Sequence, residues 1–528
     1  MCQRSGRCHH DQMDSSDVLS IVGRRTVGDI LRAAAERTPD REFVVFDDLE
    51  GNVQRFTWRT VLDRSLEFAG ALTAASVGRG DFVHLHLPNC PEFLFAWFGC
   101  ALSGTVMVPT NTASSAAELE YVLGHVGASL SVTTAEYAET VARARRAAGV
   151  VDVVWTNDLL GSLPRTPIVN PEVRPTDDLA IMYTSGTTSR PKGVRVTQAN
   201  YVFAGEAMAA GLALTPEDRL LAVLPLFHAN AQYYSVMGAA VSGGTVIISS
   251  RFSASSWADT AIRHGVTIGS LFAAPIRMIL AKQHRPPREP HRLRVVLFAQ
   301  NITAVEQEQW ERIIGAPLLQ LYGMTETIGP PLMNPLWGER RHDSLGRATL
   351  GYQCRITDDD GRAVAQGAVG ELQVFGVPGV SLMAGYLNDP DATATTMSGG
   401  WIRTGDLVRE DFDGSISFVT RAKDMIKRSG ENIAAGEIED VLLAHPDVLD
   451  VAVVGVPDPM HDEQIIAFVV TADGTLDPGT LREWCTARLA RFRVPEEFAI
   501  RSALPRTSVG KIQKQVLRAQ WLSGIAGS

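Results

Sequence analysis

Residues 183–194 read YTSGTTSRPKGV, and the chain enters that run from the apolar residues 179–182. The run is therefore a loop leaving a strand. It carries four hydroxyls (Thr184, Ser185, Thr187, Thr188), a glycine at Gly186 and a cation at Lys192. Backbone N–H groups and hydroxyls can surround an anion, Gly186 permits the tight turn, and the lysine adds positive charge. A Walker loop requires G-K-[ST], but Lys192 is followed by Gly193 and Val194. The pattern suits a polyphosphate held by a different loop on an α/β scaffold.

The rest of the chain supplies such a scaffold. Apolar runs at 223–226, 245–248 and 295–298 read as buried strands. Thr57 is placed to cap a helix in which Trp58, Val61, Leu62, Leu66, Ala69 and Leu72 recur at helical spacing. Residues 82–87 alternate as a strand, with Val83, Leu85 and Leu87 on one face and His84 and His86 on the other. No third ligand accompanies the two histidines, so they read as structural. The most apolar stretch, 93–108, already contains Gly99, Ser103, Gly104 and Thr105. A membrane-spanning helix needs about 20 apolar residues, so this stretch reads as a buried helix running into a strand. Residues 283–292, QHRPPREPHR, read as a surface connection. Alternating strands and helices make the fold class α/β.

Composition narrows the functional classes. The 528 residues carry a formal charge of −10, which argues against a nucleic-acid partner. The 46 Gly and 27 Pro fall well below low-complexity content. Six scattered cysteines give no disulfide framework and point to a reducing cytoplasm. The polar start of the chain lacks the apolar core of a secretory leader. Cys2, Cys8, His9 and His10 lie there without a second ligand pair at zinc spacing, so 1–22 reads as a flexible tail. A boundary is expected near residue 420. The turn 411–414 and a short strand at 415–419 precede the charge cluster RAKDMIKR, 421–428. A compact unit follows, with a helix carrying Ile438, Val441 and Leu442, strands at 451–456 and 465–470, and a helix at 481–489. The expected domains are thus 23–420 and 421–528, with a charged joint between them.

Four more segments, YGMTET (322–327), WIRTGDL (401–407), RAKD (421–424) and PRTSVGKIQK (505–514), follow the hydroxyl-rich loop in order. Together they resemble the adenylate-forming superfamily: acyl-CoA synthetases, luciferases and peptide-synthetase adenylation domains. The resemblance covers nearly the whole chain. It implies a large N-terminal domain of α/β sandwich subdomains plus a small β-barrel, and a small mobile C-terminal α+β lid hinged near Lys423. It implies that Thr184, Ser185, Gly186, Thr187, Thr188 and Lys192 hold the phosphates of ATP, with Gln300 beside the nucleotide. In the YGMTET turn it implies that Tyr322, followed by Gly323, packs on adenine, that Thr325 contacts phosphate, and that Glu326 with Thr188 holds Mg²⁺. Magnesium bound by few protein oxygens and by nucleotide oxygens fits that ion's chemistry. Asp406 is implied to accept from both ribose hydroxyls, a task suited to the two oxygens of a carboxylate, with Arg421 alongside. Lys511 is implied to reach the reacting carboxylate and α-phosphate. GENIAAGEIE, beginning at Gly430, resembles the face that receives CoA after the lid rotates; Ala435 stands where the family usually has proline.

PLFHANAQYY, 225–234, resembles the segment that opens the acid pocket, with His228 at the gate and counted with Lys511 and Glu326 as catalytic candidates. Phe227-His228 replaces the aspartate that peptide-synthetase domains use for an α-amino group, which argues against amino acids. The branch resembled most is that of the crotonobetaine/carnitine–CoA ligases. A quaternary ammonium wants aromatic faces or an anion; Tyr233 and Tyr234 offer faces, but no carboxylate lies between Leu224 and Gly244. Phe298-Ala299-Gln300-Asn301 replaces the family's small turn and is expected to shorten the pocket, so the acid is expected to be small or polar. The first reading is an AMP-forming acid–CoA ligase using ATP, Mg²⁺ and CoA, with no membrane partner and a homodimer as an allowed assembly. The second passes the activated acid to a non-CoA acceptor, including activation of nitrite for diazotization of an aryl amine in secondary metabolism. A non-catalytic nucleotide sensor is the third, and Lys511, Asp406 and Glu326 stand against it.

Overall fold

The structure is a computed structural model that describes residues 20–151, 153–156, 172–184, 191–338, 340–428, 431–458, 460, 462–471, 476–506 and 512–524. Its larger part is built on two mostly parallel sheets. One has nine strands, whose central six run parallel in the order Leu318–Tyr322, Val295–Ala299, Ile268–Phe272, Arg219–Ala222, Thr245–Ser249 and Glu42–Asp47. The other has seven, five of them parallel: Asp178–Thr184, Val106–Pro109, Phe82–His86, Leu130–Thr133 and Val154–Thr156. Thr245–Ser249 and Leu130–Thr133 are buried at every position, as strands covered on both faces must be.

Helix pairs fill the space between the sheets. Trp58–Ala74, capped by the Thr57 side chain, packs on Glu42–Asp47 of the first sheet. Its partner Pro91–Ser103 packs on Phe82–His86 and Val106–Pro109 of the second. Every residue of Pro91–Ser103 except Glu92 is buried, the placement that a helix apolar all round requires. Gly104, at φ 75°, ends it and turns the chain into the strand Val106–Pro109. Residues expected as tail reach this core: Val22 is buried and Ile21 packs against it. The run 223–226 is not a strand. Pairing stops at Ala222 although the neighbouring strands run on to Ser249 and Phe272, and Val223, Leu224 and Leu226 are buried outside any ladder.

Where a small β-barrel is expected, a five-stranded antiparallel sheet joins Gln353–Thr357, Val369–Phe375, Trp401–Glu410, Met397–Ser398 and Ile416–Arg421. A fourth sheet, of Glu431–Ala434, Met425–Arg428, Asp462–Thr471, Val448–Asp458 and Glu497–Arg501, has its own apolar clusters between Ile426 and Leu517. Half of the charge cluster 421–428, expected as a joint, is a strand because Ile426 is buried while Lys427 stays exposed. The helix expected at 481–489 runs instead over Pro478–Thr486, set by Pro478 at its first position and the Asp477 cap.

His84 and His86 are wholly buried within the second sheet. His84 meets Ser131 Oγ (2.9 Å) and Thr110 Oγ1 (2.8 Å), and His86 Nδ1 meets the same Thr110 hydroxyl at 2.8 Å. Burial pulls His86 down to about 4 and His84 well below its ordinary value. Neutral imidazole is thus favoured by folding, so this contribution is complete above pH 6.5 and is lost as pH falls towards 4. Urea denaturation should show stability dropping from pH 7 to pH 5, and His86→Leu should shrink that drop by about 2 kcal/mol. An unchanged pH dependence in His86→Leu would mean that the imidazole is already charged in the fold.

Candidate functional site

The carboxyl ends of parallel strands from both sheets face one cleft region, the position where open α/β sheets take ligands. Thr184 ends Asp178–Thr184 and pairs directly with Lys192, the first residue of the antiparallel strand Lys192–Thr197. The hydroxyl-rich connection is thereby pinned at both ends, although Ser185, Gly186, Thr187 and Thr188 lie outside the described residues, as do Gly430, Lys511 and the Lys423 side chain. The two-residue strand Gly385–Tyr386 adds to the outer edge of Lys192–Thr197, and Lys192 Nζ lies 4.9 Å from the centre of the Tyr386 ring.

Tyr322 ends the strand Leu318–Tyr322, and its hydroxyl donates to Asp406 Oδ2 at 2.6 Å. Arg421, opposite Asp406 in the antiparallel sheet, brings Nε to 3.2 Å from Oδ1. Asp406 is only 3% exposed, and a carboxylate so buried needs this cation and this donor. Burial and the Asp406 charge push the Tyr322 phenol well above its ordinary range, so it stays protonated and donates. At Gly323 any Cβ would stand 2.7 Å from Tyr234 Oη, so the chain must be bare there.

Two residues before Tyr322, Gln320 is 1% exposed. Its Nε2 donates to Gln300 O (3.2 Å) and Asn301 Oδ1 (3.1 Å), which orients the amide. Oε1 is buried with no hydrogen-bond partner among the described residues. Gln300 itself holds φ 75°, and Arg277 donates to Asn301 O while pairing with Glu306, so Gln320 and Arg277 together hold the turn after Val295–Ala299. Phe298, expected to close the acid pocket, is 2% exposed and belongs to the main apolar core. The partly exposed residues of this turn are Ala299, Gln300 and Asn301. Phe298 lies within the ladder opposite Leu271 and is packed into the core; pairing ends at Ala299, so Gln300 and Asn301 stand beyond it.

Glu326 sits in the single 3₁₀ turn Thr325–Thr327 at 6% exposure, with Thr325 beside it half-buried. Its Oε1 accepts from the Tyr386 hydroxyl at 2.9 Å, and its carbonyl accepts from Met383 N at 2.9 Å. Ile328 follows at φ 63°, a conformation that a β-branched residue holds only when its surroundings impose it. Among the described residues no three His, Cys, Asp or Glu side chains form a metal cluster. Glu326 is thus a single buried carboxylate, which matches a cation completed by ligand oxygens rather than by a protein cage.

On the other side, His228 is half-buried with its ring 4.0 Å from that of Phe227. A π-helix, Asn230–Val236, follows, a distortion often found at functional sites. Tyr233 does not offer a face: it is wholly buried, with its hydroxyl on Met182 Sδ at 3.4 Å, and Tyr234 is 5% exposed. Asn89 ties this region to the sheets. Its Nδ2 donates to Leu224 O and Ser249 O, both at 3.1 Å, and its Oδ1 accepts from Leu226 N at 2.7 Å. Sequence reasoning missed Asn89, Gln320 and Tyr386. Asn89 and Gln320 carry no spacing signal, and Tyr386 lies about 60 residues from the carboxylate it holds.

Asn89→Ala leaves three buried backbone groups unpaired at about 1–3 kcal/mol each before relaxation. The variant should melt several degrees lower and bind its small-molecule substrate more weakly. A melting temperature equal to that of the parent would show that the segment 224–226 is held by other contacts.

Residues 31–387 match the AMP-binding enzyme family, and residues 437–511 match the AMP-binding enzyme C-terminal domain. The crotonobetaine/carnitine–CoA ligases of Salmonella paratyphi A and Salmonella typhimurium are each 34% identical to the chain, over 95% of it and 100% of their own length. The o-succinylbenzoate coenzyme A synthetase of Bacillus subtilis, in complex with ATP and magnesium, superimposes with a TM-score of 0.83 at 29% identity, covering 94% of this chain and 99% of that one. The anthranilate CoA ligase in complex with anthranoyl-AMP shares the fold at a TM-score of 0.86 and 23% identity, over 95% and 98% of the two chains.

Proposed function

The chain belongs to the AMP-binding enzyme family, and from that premise we infer that it is an AMP-forming acid–CoA ligase. The observation that carries the reading is the pair of buried carboxylates, Asp406 held by Tyr322 and Glu326 held by Tyr386, with Lys192 over the Tyr386 ring. The nucleotide fits the residues present. Gln320 Oε1 is an oriented, buried acceptor with no donor among the described residues, a partner suited to the amino group of adenine. Asp406 accepts from Tyr322 and Arg421 yet keeps two of its four lone-pair sites for the ribose diol. Thr184 and Lys192 stand at the two ends of the connection, and Ser185, Gly186, Thr187 and Thr188, carried over by resemblance, would join them in holding the phosphates. Glu326, with Thr188, would hold magnesium, which when bound neutralises charge on the phosphate oxygens.

The acid carboxylate attacks the α-phosphorus, an O–P bond forms, and the bond to pyrophosphate breaks, leaving an acyl-adenylate. Charge grows on phosphate oxygens in that step, and donors already oriented towards it lower the barrier. Lys511, carried over by resemblance, would supply one of them. In the second step the thiol sulfur of CoA bonds to the acyl carbon, its proton leaves to solvent, and AMP departs. Lys423 and Gly430, also carried over by resemblance, would serve the lid rotation between the steps, in a chain divided near residue 420. Relatives named as CoA ligases favour CoA over a non-CoA acceptor, nitrite included. The acid is short or polar. Gln300 and Asn301 bring polar groups to the turn, and the curated relatives are named for small acids.

Pyrophosphate release and thioester formation across a panel of acids test the whole reading. Turnover should need ATP, Mg²⁺, a short or polar acid and CoA together; product formed equally well without CoA would overturn it. Asp406→Ala removes the diol acceptor and should weaken ATP binding in calorimetry by about 1.5–3 kcal/mol, the worth of a hydrogen bond to a charged group. ATP affinity equal to that of the parent would remove Asp406 from the nucleotide site.

A further inference from the structure

One tyrosine joins the two halves of the phosphate side of the cleft. Tyr386 is 8% exposed and belongs to the strand Gly385–Tyr386, antiparallel to Lys192–Thr197, with Tyr386 opposite Val194. Its backbone N–H donates to Thr393 Oγ1 at 2.8 Å, and the following Leu387 N donates to Gly193 O at 2.8 Å, so its position is set by main-chain bonds. From there the ring passes beneath Lys192 Nζ, and the hydroxyl donates to Glu326 Oε1 at 2.9 Å. Three residues earlier, Met383 N donates to the carbonyl of the same Glu326 at 2.9 Å. Segment 383–387 therefore grips residue 326 by both main chain and side chain while bonding to the strand that starts at Lys192.

We propose that Tyr386 is a positioning residue for the divalent cation: its hydroxyl fixes the Glu326 carboxylate while its ring seats Lys192, holding carboxylate and ammonium in one geometry around the polyphosphate. The proposal rests on the reading of Glu326 as the metal carboxylate. A carboxylate rotates about its terminal bond with little preference, so a donor on one oxygen decides where the remaining lone pairs point. Partners of this kind typically change metal affinity 10–100-fold when removed. The ring adds a separate effect, since an ammonium over an aromatic face is held without being neutralised by a second carboxylate that would repel phosphate.

Calorimetric titration of ATP into the enzyme without acid, first in EDTA and then with excess Mg²⁺, gives the tightening that magnesium contributes, with no turnover involved. Glu326→Gln sets the loss expected when the carboxylate charge is gone. Tyr386→Phe, which keeps the ring under Lys192 and deletes one oxygen, should lose roughly tenfold of the magnesium-linked tightening. Its affinity for metal-free ATP should stay within about twofold of the parent, below the range such second-sphere losses produce. Tyr386→Leu, which also removes the ring, should weaken metal-free ATP as well. Thr393→Val, which deletes the hydroxyl that accepts the Tyr386 N–H and donates to Asp389 O, is a milder second variant expected to shift magnesium linkage in the same direction, whether or not Tyr386→Phe folds. If Glu326→Gln loses magnesium linkage while Tyr386→Phe and Thr393→Val keep it, the role of Tyr386 is overturned and the metal reading stands. If Glu326→Gln keeps it too, both fall. Equal weakening of ATP with and without magnesium in Tyr386→Phe would make the tyrosine merely structural and would also overturn the proposal.

Discussion

Two sheets whose central parallel strands are buried on both faces need helices to fill the space between them, and that requirement shapes the rest of the molecule. Trp58–Ala74 and Pro91–Ser103 meet it by packing on each other while each covers a different sheet. Once the sheets are stacked through such pairs, the ends of strands far apart in sequence stand close together. Asn89, at the start of Pro91–Ser103, then reaches main-chain groups following two strands of the other sheet. The cleft is a consequence of that stacking, and loop residues inherit positions that no local preference would give them.

Electrostatics at the cleft follow one repeated device. Asp406 and Glu326 are both almost wholly buried, and each is held by the hydroxyl of a tyrosine from a different strand, Tyr322 and Tyr386. A phenol is a sound partner for a buried carboxylate that must still bind something. It satisfies one oxygen without adding a charge, and burial beside the anion raises its own pKa so that it remains a donor. Asp406 also has Arg421, consistent with a partner that brings no charge of its own, such as a diol. On the proposed reading, a neutral sugar and a charged phosphate with its cation would meet two carboxylates prepared in different ways.

The fold class was legible because burial on both faces leaves a mark in sequence. The runs at 245–248 and 295–298 are strands, the helix after Thr57 begins where its cap stands, and 93–108 is a buried helix turning into a strand at Gly104. The failures share a cause. Residues 223–226 are as apolar as a strand, but the chain leaves the ladder at Ala222 while its neighbours run on to Ser249 and Phe272; Phe298 lies within the pocket motif, but the ladder continues through it and it packs into the core. Apolarity reports burial and does not report which neighbour does the burying.

For the site, chemistry that lies within a few residues was readable and chemistry spread across the chain was not. The sequence by itself singled out the hydroxyl-rich loop, the carboxylates Glu326 and Asp406 and the lysines as candidates and identified the family, because each sits in a contiguous run whose residue types have little other use together. Only the tertiary structure decided what orients them. Gln320 is one more glutamine in an apolar strand until its Nε2 is seen satisfied by the Gln300–Asn301 turn and its Oε1 left waiting. Tyr386 is one more strand tyrosine until sheet pairing sets it between Lys192 and Glu326. A hydrogen bond depends on the direction between two atoms, and for residues tens of positions apart that direction exists only after the sheets have stacked.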